Sequence, residues 1–263
     1  MTQSATANNI TDKPEHGHGH GSGDGGHSCG HKVCPRKIHS VAGMLFGVMM
    51  VQHFLLNMLT MWPTRFDAAV GRLHDMGILL PILSLVLVIL PLGVHIVYGI
   101  RMLKSAGLKY NTGKHHRGSD FRHLLQRLSA VVLLLFIVFH LATIHRWGLH
   151  QVHRLTGWSM LERYADSGLF DASDAYASTA AAVGHFFSDS APMAAGNLLI
   201  SGLYLAAIWA TAYHLGNGFA TTAMVWHIPK TQAQEKKWSI AGGIFGLCIG
   251  IIGTMAWVGL MFH

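Results

Sequence analysis

The chain has 263 residues, of which 51% are hydrophobic and 12% charged, against the roughly 25% charge of an ordinary soluble domain. That composition excludes a soluble globular enzyme and a disordered chain with a single anchor. Three cysteines (Cys29, Cys34 and Cys248) make no disulfide framework. The formal charge of +7 needs no nucleic-acid partner, because its distribution reads as membrane topology.

Residues 1–35 include "EHGHGHGSGDGGHSCGHKVCP", a Gly/His-rich tail with too few apolar groups to order itself; residues 36–263 read as one membrane domain. No charged side chain falls in Val41–Leu59, Met76–Ile100, Leu128–Ile144, Ala191–Trp226 or Ile240–Phe262. Apolar runs of about 18 or more residues are candidate spans, since ~20 helical residues cross the hydrocarbon core. The pattern predicts a first helix over Ile38–Met61, closed by Trp62 and Pro63. A second covers Asp75–Leu103 with Pro81 and Pro91 inside it, and a third Phe121–Arg146. A fourth covers Pro192–Trp226, stopped by Pro229, and a fifth Lys237–Phe262. The first run begins behind a polar tail, so it does not read as a cleavable signal peptide. Segments 60–75 and 145–190 read as loops, the stretch "LERYADSGLFDASDAYAS" suggesting a short surface helix. The tail, the 101–127 loop and the 227–237 loop hold 14 of 19 Lys+Arg, and the loops on the other side hold 5. Basic residues stay on the cytoplasmic side, so the N-terminus is expected inside and His263 outside.

Most of the 20 histidines lie in the tail or loops, but His53, His95, His140 and His214 sit inside four successive apolar spans. Ionisable groups at membrane depth are costly, and they usually face a bundle interior and mark function. Counting residues from the helix ends places His53 and His140 in the outer half and His95 and His214 in the inner half. Neutral imidazole binds zinc, copper and haem iron alike. Two pairs at two depths do not make one four-histidine metal site; they fit two planar macrocycles, each held between two helices by a pair of axial histidines. The fold class expected is therefore an all-α integral membrane protein of five transmembrane helices, the first four bundled around two stacked haems. Gly43, Gly47, Gly93, Gly99, Gly216 and Gly218 near these histidines suit either a large flat ring or ordinary close packing of helices.

The segments "HSVAGMLFGVMMVQHFLLN", "LPLGVHIVYGI", "LQRLSAVVLLLFIVFH" and "YHLGNGF" each contain one of these histidines. Together, over about residues 38–227, they resemble the cytochrome b subunit of succinate:quinone oxidoreductases, in the five-helix, two-haem class. The resemblance implies that His95 and His214 hold the haem b nearer the cytoplasm and that His53 and His140 hold the outer one. It also implies a membrane anchor for a flavoprotein and an iron–sulfur subunit of succinate dehydrogenase or fumarate reductase. Electrons would pass to or from a membrane quinone, often menaquinone, with no dicarboxylate chemistry in the chain itself. The absence of a G-x-G-x-x-G fingerprint and of a cysteine set for an iron–sulfur cluster agrees with that division.

The sequence departs from this family in two respects. The His-rich tail is foreign to it, and Ala212 stands where the related fumarate reductases carry an acidic residue, putting a transmembrane proton route in doubt. His39, Ser40, Gln126 and Arg127 suit the inner haem's propionates, Arg127 equally being a topology charge. Asn57, His74 and Asp75 suit quinone hydrogen bonding or a solvated loop. Cys29 and Cys34 with His27 and His31 could ligate zinc, or the tail could buffer loosely held metal. Other readings are a dihaem cytochrome of a hydrogenase or formate dehydrogenase, and a metal transporter with a His-rich tail.

Overall fold

The structure is a computed structural model and describes residues 34–106, 118–145, 148–164, 169–187 and 195–262. The tail with Cys29, His27 and His31 lies outside the described residues, as do Lys109, Arg146 and Pro192. Among the described residues the secondary structure is entirely helical. The helices are α1 (Pro35–Met58), α2 (Pro63–His74), α3 (Leu79–Ser84), α4 (Leu90–Ala106), α5 (Gly118–Ile144), α6 (Leu149–Thr156), α7 (Ala175–Gly184), α8 (Ala195–Val225) and α9 (Gln232–Met261).

Among the described residues five helical segments are long and apolar enough to cross a bilayer: α1, the α3–α4 run, α5, α8 and α9. α8, with 31 residues, is about 46 Å long, more than the ~30 Å hydrocarbon core requires. The α3–α4 run is continuous through a wide π-helical turn at Leu85–Ile89. Pro91 explains it: with no N–H to donate, and with a ring that crowds the preceding carbonyls, it favours a wider turn just before it. α8 ends where His227 takes a left-handed conformation (φ 53°), its N–H bonding to the Met224 carbonyl while Ile228 N–H reaches Ala223. Pro229 then prevents continuation.

The two polar boundaries of the bundle are marked by aromatic–cation pairs. At one end Arg65 lies over Trp62; at the other Lys37 lies over Trp226 and Arg101 over Tyr98. Such rings suit the headgroup level.

The tightest packing joins α8 to α9. A Cβ on Gly216 would come 2.5 Å from the Gly242 carbonyl and 2.9 Å from Gly246 Cα, so these backbones touch directly. In lipid, where apolar burial offers little drive, close backbone approach supplies the attraction. Thr60, fully buried in the 3-10 turn that follows α1, ties that end of the span to α9 through a 2.9 Å bond from its hydroxyl to the Ala256 carbonyl. By contrast α4 packs chiefly on α1, and α5 chiefly on α8.

Segments expected to be loops at the Trp62 end fold into helices that cap the bundle. Pro63 opens α2 instead of merely ending α1, its fixed φ suiting the first helical position. Phe66 and Val70, one turn apart, pack with Ala175 of α7. Asp67 Oδ1 accepts the Tyr176 N–H at 2.8 Å, and the Tyr176 hydroxyl donates to the Gly259 carbonyl at 2.8 Å. α7 begins inside the stretch expected to hold a surface helix, but Ala175 is fully buried.

Candidate functional site

His53 projects from α1 and His140 from α5; their ring centroids are 6.3 Å apart at an interplanar angle of 80°. His95 on α4 and His214 on α8 are 6.1 Å apart at 85°. Each pair joins a helix of the α1/α4 wall to a helix of the α5/α8 wall. The first pair lies toward the Trp62 end and the second toward the Trp226 end. Tyr204, at the His140 ring, and His214 are ten residues apart on α8, so the two levels are about 15 Å apart.

Hydrogen bonds fix three of the four rings. His95 donates from Nδ1 to the His39 carbonyl at 3.1 Å. His214 Nδ1 is 3.2 Å from Ser129 Oγ, and His140 Nδ1 is 3.3 Å from the Tyr204 hydroxyl. A ring that donates through Nδ1 carries its lone pair on Nε2, the arrangement that outer hydrogen bonds impose on metal-binding imidazoles. His53 is held differently. Asn57 Nδ2 donates to the His53 carbonyl at 2.8 Å and stands 3.4 and 3.5 Å from the two ring nitrogens, too long for a directed bond to either.

The donor set fits a planar tetrapyrrole. The centroid separations of 6.3 and 6.1 Å leave room for one metal ion between the two imidazoles of each pair, so each pair could hold the metal of such a group. Among the described residues no three His, Cys, Asp or Glu side chains converge on a point, whereas a tetrapyrrole supplies four nitrogens of its own and needs only two from protein.

The other expected site residues are dispersed. His39 lies flat against His95, with ring centroids 3.8 Å apart. Ser40 is buried, and its Oγ accepts the Trp226 Nε1–H at 2.8 Å. Gln126 donates to the His214 carbonyl at 3.1 Å and accepts from Asn217 at 2.9 Å; Arg127 follows it on α5, half-buried. Asn57 is at the His53 ring, while His74 and Asp75 are exposed at the far end of α2, His74 near Phe170. No hydrogen bond or ring contact joins them to Asn57.

The glycines divide. Gly43 makes room for the His95 ring, Gly99 for His39 and Gly47 for Leu215; Gly216 serves the α8–α9 seam; Gly93 has open space beyond it. Ala212 is buried, its carbonyl against Gly246 of α9. Sequence reasoning missed Ser129, Tyr204 and Asn217. Ser129 lies one turn after Gln126, and the polar tip of Tyr204 within an apolar span was an available signal.

These features define a multi-pass membrane protein of five apolar helices with two cross-wall histidine pairs. The chain is similar to the succinate dehydrogenase cytochrome b558 subunit of Bacillus subtilis (strain 168), at 22% identity over 222 residues, covering 84% of this chain and 93% of that protein. The resemblance read from the four histidine-bearing segments is borne out over that length. No family model matches the chain, and no solved structure does.

Proposed function

We propose that this chain is the dihaem cytochrome b subunit anchoring a succinate dehydrogenase or fumarate reductase complex, carrying electrons between an iron–sulfur subunit and a membrane quinone, menaquinone being the expected one. The observation that carries this reading is the pair of facing histidines at each of two levels in the bundle; similarity to a named cytochrome b subunit supports it.

In this reading His53 and His140 hold one haem b iron, and His95 and His214 the other. Each haem, when bound, supplies a reversible one-electron iron centre. The protein orients the His95, His214 and His140 imidazoles through Nδ1 and keeps water from the apolar walls. The Trp226 end, carrying Lys37, Arg101, Arg122 and Lys230, faces the cytoplasm and receives the flavoprotein and iron–sulfur subunits. The Trp62 end faces outward across the bacterial inner membrane, and the N-terminal tail of residues 1–35 is cytoplasmic, separate from the 36–263 membrane domain. Gln126, Ser40 and Arg127, with His39, border the haem nearer the cytoplasm. Asn57 is the best placed of the quinone candidates because it touches the His53 ring; His74 and Asp75 would contribute only as proton relays from solvent.

The test is to purify the tagged chain from membranes, record its visible spectrum and identify co-purifying subunits. Two b-type haems per chain, with a flavoprotein and an iron–sulfur protein, are expected. A haem-free chain, or partners of another enzyme, overturns the proposal.

A further inference from the structure

His39 and His95 make a reciprocal contact between α1 and α4. Their rings stack at 3.8 Å with planes 18° apart. His39 donates from Nδ1 to the His95 carbonyl at 3.0 Å, and His95 donates from Nδ1 to the His39 carbonyl at 3.1 Å. One turn beyond each histidine stands a glycine that accommodates the partner's ring. A Cβ on Gly43 would be 2.7 Å from His95 Cε1 and Nδ1, and one on Gly99 would be 3.2 Å from His39 Cε1. The same four-residue spacing, His-x-x-x-Gly, therefore occurs on both helices ("HSVAG" and "HIVYG") and interlocks as a pair.

From this geometry we infer that His39 is a positioning residue for His95, its imidazole and carbonyl forming with the His95 ring and carbonyl a two-bond clasp that fixes the tautomer and tilt of the His95 ring. The inference rests on the proposed role of His95 as an axial ligand, paired with His214 at 6.1 Å. The His39 carbonyl sets the tautomer by taking the Nδ1 proton of His95, leaving Nε2 with the lone pair. The His39 ring sets the tilt, because stacking and the return bond resist rotation of His95 about its side-chain torsions. A carbonyl acceptor on Nδ1 also makes Nε2 a stronger donor to metal. Loosening the clasp weakens that donation and favours the reduced iron.

The experiment uses the complete complex in membranes, with His39→Phe and His39→Asn, reading haem per chain and the midpoint potential of each haem by redox titration of the visible spectrum. Both variants are expected to keep two haems. His39→Phe, which stacks but cannot return the bond, shifts upward the potential of the component that His214→Ala removes, and leaves the other unmoved. His39→Asn, whose amide N–H can occupy the place of Nδ1–H, restores it toward the wild-type value. Unmoved potentials in His39→Phe overturn the positioning role while leaving the four ligands standing. Loss of a haem in that variant overturns it, because the inference requires both haems to stay bound. A wild-type complex without haem overturns the ligand reading, and this inference with it. If His39→Phe does not assemble, Gly99→Ala presses a methyl on His39 Cε1; a shift of the same component is expected there, and an unmoved potential overturns the role.

Discussion

At the scale of single residues the site is built from imidazoles whose freedom is removed by groups one turn away or on the facing helix. Gly43 is the tightest of these, since a methyl there would collide with the His95 ring. Gly43→Ala is expected to deplete or shift only the spectral component shared by His95 and His214, measured by reduced-minus-oxidised spectra of purified membranes. The pairing predicts a matching pattern for the ligands. His95→Ala and His214→Ala should remove one low-spin component and His53→Ala and His140→Ala the other, read by paramagnetic resonance. Depletion of the same haem by His53→Ala and His95→Ala contradicts the pairing. If His214→Ala leaves both haems, the fault lies with His214, although His227, the next histidine, is 13 residues on and beyond the end of α8, about 20 Å away. The four histidines were legible because a titratable group in an apolar run has few reasons to be there. Their supports were not: the His39 carbonyl, Ser129 and Tyr204 act through helix phase and inter-helix register, which one sequence does not display.

At the scale of elements the α8–α9 seam gives a paired test. Gly246→Val places a side chain against the Ala212 carbonyl and Gly216 Cα, whereas a Cβ on neighbouring Gly243 meets nothing within 4 Å. Overpacking costs typically 1–3 kcal/mol, so Gly246→Val should lower the unfolding midpoint in detergent by at least several degrees and Gly243→Val should leave it nearly unchanged. Equal effects would show that the seam does not carry stability. Ala212 lies on the same seam, so Ala212→Glu is expected to reduce folded protein in membranes, because the carboxylate would enter packed apolar surface without a partner. The five spans were readable from hydropathy to within a few residues at most ends. α2 was not, and α7 was expected only as a surface helix, since their apolar faces are short and their partners lie more than a hundred residues away: Asp67 with Tyr176, and Phe66 with Ala175. Pro63 was read as the stop after the first span, which ends at Met61 as expected, and it also opens α2. The π-helical turn follows from Pro91, but proline alone does not choose between a kink and a wide turn.

At the scale of the whole molecule the charge split gives an orientation. Reporter fusions near Lys109 should read cytoplasmic and those near Asp171 external; the reverse at either position inverts the topology and the assignment of the two haems to sides. Deletion of residues 1–33 should leave the haem content per polypeptide unchanged, because all four proposed ligands lie beyond it. A lost haem would place a tail histidine among the ligands.

The division of the bundle into two walls bears on how the subunit is made. α4 leans on α1 and α5 on α8, while α1 itself packs on α8 and α9, so α4 and α5 are the two spans with modest direct attachment across the middle. In a bilayer no hydrophobic force closes such a gap. On the proposed reading, haem bridging the walls would stabilise the closed arrangement in proportion to its occupancy, acting as mortar as much as wire. Its supply would then set how much of the chain survives surveillance by membrane proteases. Cells starved of haem should hold less of this chain at unchanged transcript level, and a pulse-chase comparison of its half-life with and without haem synthesis would read that dependence directly.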